Sequence, residues 1–172
     1  MKIVKNETIV KSYKKIMNIN EIDQSKIADD IFKFQPVFLS TFLALQKDIQ
    51  DPNKLGNLFM LMNIIWLSIS EFKEIKEKKI TEDMFEEYIN KNISFIKYTE
   101  LEKDANNLDK MFKLYLDNYN QKFLLNLLFL EIFSDEGKKY NFSLYMKGKL
   151  INYLKSLIDC IDFLLNEKYN KN

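Results

Sequence analysis

The chain has 172 residues, of which 47% are apolar and 30% charged, with a formal net charge of +1 and no histidine. All 26 basic residues are lysine, so the composition excludes imidazole metal ligands, Ser/His and Cys/His nucleophile pairs, and bidentate guanidinium contacts to phosphate or carboxylate. Length and composition fit one ordinary globular domain spanning 1–172.

Lys, Asn, Ile, Phe and Tyr together supply 87 residues, whereas Gly, Ala, Arg and Pro supply 8. The first group has AT-rich codons and the second GC-rich ones, so an AT-rich genome accounts for much of this skew. Residues 1–20 sum to +4, residues 58–105 to −3 and residues 142–172 to +2. No segment has the basic density that dominates nucleic-acid affinity. Cys160 is the single cysteine, which excludes an intrachain disulfide. The first residues interrupt their apolar positions with Lys, Asn and Glu, leaving no signal-peptide core. The densest apolar stretches, Leu58–Ile69 and Phe123–Phe133, fall short of the roughly 20 residues that span a bilayer. A cytoplasmic location follows as the expectation.

Three glycines and two prolines are too few for the turns of a many-stranded sheet, and the apolar residues recur at helical spacing. The expected fold is an all-α single-domain helical bundle of six or seven helices. Residues 1–20 hold a short amphipathic helix, Glu7 to Asn18, with Ile9, Val10, Tyr13, Ile16 and Met17 on one face. A second helix begins near Ser25, capped by Asn20 or Asp23, and carries Ile27, Ile31 and Phe34. Pro36 then forces a break, after which Val37 to Gln50 continues as a helix that stops at Asp51-Pro52-Asn53. Leu55 to Lys79 reads as one long helix, apolar all round as far as Ile69 and charged beyond it. Thr81 is the expected N-cap of a fifth helix, with Glu82 and Asp83 in its first turn.

Glu100 to Phe133 continues without glycine or proline, with Asn106-Asn107 as its weak point, and its second half is expected to be the most buried helix. Ser134 to Gly137 is a loop. In the last helix, Phe142 to Glu167, Leu144, Ile151, Ile158 and Leu165 recur every seven residues, while Leu150, Leu154, Leu157, Ile161 and Leu164 widen the stripe to face two neighbours. Residues 168–172 form a polar tail. An internal two-fold repeat is suggested by the likeness of Gln35-Pro-Val-Phe-Leu39 to Gln121-Lys-Phe-Leu-Leu125. At that offset of 86 residues, positions 35–75 and 121–161 agree at seven places, against about four expected by chance.

The residues offer little catalytic chemistry. Asp51 to Gly56 is similar to the start of a calcium loop, but Leu55 and Met62 stand where oxygen ligands are needed. Asp29-Asp30, Glu86-Glu87 and Glu71/Glu74 lie among lysines, as on a solvated face. Cys160 has acidic Asp159 beside it and no adjacent cation, which makes it an unreactive thiol. No catalytic, cofactor-binding or metal-ligating residue is assigned. Glu131, the lone acid in a greasy run, is the candidate buried polar anchor. Phe32 and Phe38 lie off the main apolar ridge around Pro36 and are the candidate exposed interaction surface. The expected function is a non-catalytic protein-binding module such as a small regulator, inhibitor, immunity protein or adaptor. The alternative is a helical small-ligand-binding protein or weak enzyme with an apolar cavity and a buried carboxylate. Another protein is the expected partner, a homodimer being one form of this, with no nucleic acid and no membrane span.

Overall fold

A computed structural model describes residues 1–101, 116–133 and 142–167, with side chains up to 94 in the first stretch. The all-α class is as the periodicity requires, and no strand occurs among the described residues. These residues form eight helices: α1 Asn6–Met17, α2 Glu21–Phe34, α3 Pro36–Gln46, α4 Pro52–Ile69, α5 Lys73–Glu77, α6 Glu82–Leu101, α7 Lys122–Phe133 and α8 Leu144–Asn166. The number exceeds the expected six or seven. Asn106-Asn107, the Ser134–Gly137 loop and the 168–172 tail lie outside the described residues.

Local chemistry sets most boundaries. The Asn20 Oδ1 accepts from the Asp23 N–H at 2.9 Å and opens α2. Pro36 occupies the first turn of α3, where a missing N–H costs nothing. Asp51 caps α4 through the Asn53 N–H at 2.9 Å, and Ser143 caps α8 through the Met146 N–H at 3.2 Å. Thr81 Oγ1 accepts from the Met84 N–H at 3.2 Å at the start of α6.

Two breaks have no local signal. The expected helix from Leu55 to Lys79 is divided at Ser70–Phe72, where the chain turns and restarts as α5. The expected continuity into Phe133 is interrupted at Tyr119–Gln121, after a helical turn at 116–118. Both breaks serve buried glutamines. Gln35 Nε2 donates to the carbonyls of Ile75 at 2.7 Å and Lys78 at 2.6 Å, and Gln35 Oε1 accepts from the Ile80 N–H at 2.9 Å. Gln121 Nε2 donates to the Lys2 carbonyl at 2.9 Å, and its Oε1 accepts from the Val4 N–H at 3.0 Å. Each glutamine therefore grips the C=O of a lysine and the N–H two residues later, as a neighbouring β-strand would. Both are fully buried.

The two clamps are reciprocal. The gripped segment Lys2–Val4 leads into α1, and Lys78–Ile80 leads into α6. Gln35 precedes α3 and Gln121 precedes α7. α1 packs on α4, and α6 packs on α8. Lys2 pairs with Glu74 in α5, and Lys78 pairs with Glu167, just beyond α8. The first half of the chain thus gives its leading segment to the glutamine of the second half, and the second half returns the arrangement. The gripped segments stand 76 residues apart and the glutamines 86 apart, so no single offset aligns both.

One core cluster runs from Val4 to Leu165. Its axis is α8, which contacts α3, α5, α6 and α7 and is buried at nearly every position from Leu150 to Asn166. Phe123–Phe133 is not the most buried helix, contrary to its composition: Asn126, Leu130 and Phe133 face solvent. A helix at the edge of a bundle keeps one face wet whatever its hydropathy, whereas α8 is enclosed by four neighbours.

Replacing either glutamine by alanine should cost about 2 kcal/mol, from net hydrogen-bond contributions near 1 kcal/mol each. Hydrogen exchange supplies the specific readout: Gln121→Ala should deprotect the Val4 amide, and Gln35→Ala the Ile80 amide, each leaving the other protected.

Candidate functional site

The sequence candidates separate in space. Phe32 projects from α2 and is 68% exposed. Phe38 does not share that surface. It is fully buried, with its ring edge-on to Trp66 at 5.9 Å and 75° between planes. The break at Gln35 rotates α3 relative to α2, so a face extrapolated through Pro36 points the wrong way. Glu131 is half-buried near the end of α7 and lines neither the groove between α1 and α7 nor the cleft beside Trp66. It is not the buried polar anchor.

That position belongs to a cluster between α6 and α8. Lys155 and Asp159, one turn apart, form an ion pair at 2.7 Å, with both side chains about 10% exposed. The Lys155 ammonium also donates to Asn92 Oδ1 at 2.6 Å. Asn92 Nδ2 donates to Ser156 Oγ at 2.9 Å and to Asp159 Oδ2 at 2.8 Å. The Tyr119 hydroxyl donates to Asp159 Oδ1, and Lys155 lies over the Tyr119 ring at 5.3 Å. Burial pulls the Lys155 pKa down while the Asp159 carboxylate opposes the shift. Both carboxylate oxygens are taken, and the cluster is a closed network tying α6 and the Tyr119 turn to α8.

Cys160 lies beside this network and is fully buried. Burial, then the charges of Asp159 and Glu87, push its thiol from 9.0 up to about 12, the opposite of what a nucleophile needs. Tyr88 is raised from 10.0 to about 12, chiefly by burial. No grouping of three or more potential metal ligands occurs among the described residues. No described helix is long and apolar enough to cross a membrane.

Several depressions open to the surface among the described residues, two of them relevant to binding. The first is an apolar groove of about 280 Å³ between α1 and α7, walled by Ile9, Val10, Tyr13, Phe123, Leu127 and Leu130. Val10 is 44% exposed and Leu130 57%. Lys14 stands on its rim, with Lys11 and Glu7 in the adjoining hollow. Val10 was legible as part of an amphipathic face. Its meeting with Leu130 was not, because the two are 120 positions apart. The second is a cleft of about 770 Å³ where the C-terminal ends of α1 and α4 meet α2, with Trp66 in its wall. Compared with protein-family models, curated proteins and solved structures, the chain matches none of them.

Two outcomes test this description. Lys155→Ala should destabilise the fold by about 3 kcal/mol in denaturant titration, because it leaves a buried carboxylate without its cation. Replacing Asn92, Lys155 and Asp159 together by Leu, Met and Leu should recover most of that loss. For pH, the unfolded chain ionises its thiol and tyrosine near their ordinary values while the folded chain holds both protons to about 12. Stability is therefore fully present below pH 9 and should fall between pH 9 and 12. Cys160→Ala should flatten this fall, isolating the thiol from Lys155, whose depressed pKa acts in the opposite sense.

Proposed function

We propose that the chain is a non-catalytic protein-binding module whose receptor surface is the groove between α1 and α7. The supporting observation is the exposure of Val10 and Leu130 on a concave apolar floor. Exposed aliphatic side chains converging on one groove mark binding surfaces more often than scattered ones do. Groove dimensions set by two helices suit a third helix presenting apolar residues at i, i+3 and i+7. Lys14 at the border and Lys11 in the adjoining hollow favour acidic residues flanking that stripe, and α1 carries three lysines against one glutamate. The partner is thus an amphipathic acidic helix of another protein.

The ligand-binding or enzymatic alternative draws no support from the buried carboxylate. Asp159 is engaged on both oxygens by protein donors, and Glu131 is not enclosed.

The test uses the full chain as bait in gentle pull-downs from its native cells, beside a Val10→Glu/Leu130→Glu variant. A stoichiometric partner recovered by the natural chain should be lost by the variant, and its retention should weaken as salt screens the lysines. A partner held equally by both proteins would place the interface elsewhere.

A further inference from the structure

The wall that α7 gives to the groove is apolar except at its middle. It consists of Phe123, Asn126, Leu127 and Leu130, the i, i+3, i+4 and i+7 positions of one helix face. Asn126 thus has Phe123 one turn before it and Leu130 one turn after it. It is exposed, and its amide has no hydrogen-bond partner among the described residues. On the α1 wall, Asn6 and Lys14 stand at the two ends and are exposed, with Ile9, Val10 and Tyr13 between them. Asn126 is therefore the one amide set within the apolar stripe of the groove and not at its margin.

The reciprocal clamp shows that the bundle itself does not demand these residues. Asn126 and Leu130 follow Gln121 by five and nine positions. The same steps from Gln35 lead to Ser40 and Ala44 on α3, where the Ser40 hydroxyl donates to the Val37 carbonyl at 3.0 Å. Val10 follows the clamped Val4 by six positions, and the same step from Ile80 leads to Glu86, which is exposed. Where the clamp recurs, the matching positions thus hold a hydroxyl satisfied by its own helix, a small side chain and a charge. The open amide and its exposed aliphatic neighbours distinguish the groove between α1 and α7.

Resting on that groove as the receptor surface, we propose that the docking helix carries one Asn or Gln within its apolar stripe and that Asn126 pairs with it, setting the register of the helix. A helix lying in the groove spans Phe123 to Leu130 and strips the water from the amide between them. A polar group desolvated without a partner weakens binding. A carboxamide brings both an N–H and a C=O, so both polar atoms of Asn126 are met, whereas a carboxylate only accepts and would leave Asn126 Oδ1 unpaired. The acidic residues of the docking helix belong at its edges, towards Lys14 and Lys11. A slip of one turn would set an aliphatic side chain on Asn126 and the carboxamide on Phe123 or Leu130. A lone asparagine in the apolar seam of a coiled coil fixes register in the same way.

The full chain serves as bait for a displayed library of acidic helical peptides whose stripe positions i, i+3, i+4 and i+7 are randomised over apolar, amide, hydroxyl and carboxylate side chains. Peptides that the Val10→Glu/Leu130→Glu variant no longer binds form the groove-dependent set, and these should share Asn or Gln at one stripe position. In calorimetric titration, replacing that residue by Leu should weaken binding to the natural chain about tenfold, and Asn126→Leu should reverse the preference. Asn126 is exposed, and circular dichroism checks the helicity of the variant. Groove-dependent peptides with a wholly apolar stripe or a carboxylate in it overturn the role of Asn126 and leave the groove standing. So does a preference that Asn126→Leu does not move. The absence of any groove-dependent peptide overturns both readings.

Discussion

Two buried glutamine side chains hold the halves of this chain to each other. A primary amide has one carbonyl and one N–H₂, the same complement that a strand offers its neighbour, so it can satisfy an extended backbone segment where no sheet exists. Gln35 and Gln121 each do this for the segment leading into the other half's first helix. Without them, Val4 and Ile80 would bring unpaired backbone N–H groups into the core, since both residues are buried. The helix breaks at Ser70–Phe72 and Tyr119–Gln121 follow from the same requirement, because a continuous helix would carry the chain past the position where the clamp closes.

With so few glycines and alanines, close helix approach is rare and the interior is filled by large side chains. α8 carries the widest apolar surface and takes the centre. The polar residues that remain inside are handled in two ways. Between α6 and α8, Lys155, Asp159, Asn92, Ser156 and Tyr119 satisfy one another. On α4, Asn63 and Trp66 are left with unmade bonds. The first arrangement fixes how two helices pack.

The functional readings rest on the surface, because the thiol and the buried carboxylate of the described interior are both committed. The single thiol is buried and held protonated, and the buried carboxylate is saturated. Lysine is the only basic residue type, so recognition of anionic partners falls to flexible point charges at groove rims, with apolar contacts supplying the shape.

The helical class, the caps at Asn20 and Thr81, the stop at Asp51-Pro52-Asn53, the break at Pro36 and the broad stripe of the last helix were legible in the residues. These are local properties, decided by side chains within a few positions of one another. The clamps, the exposure of Phe32 against the burial of Phe38, the partial exposure of Glu131 and the pairing of Val10 with Leu130 were not. The two glutamines stood out in the sequence only as a likeness at offset 86, and ten extra residues between Lys78 and Gln121, relative to Lys2 and Gln35, hid the rest of the correspondence. Gln121 meets Val4 across 117 positions and Asn92 meets Asp159 across 67. The amino-acid sequence by itself determined which segments coil and which faces are apolar; the tertiary structure alone decided which of those faces are covered, because burial depends on neighbours that periodicity along the chain does not specify.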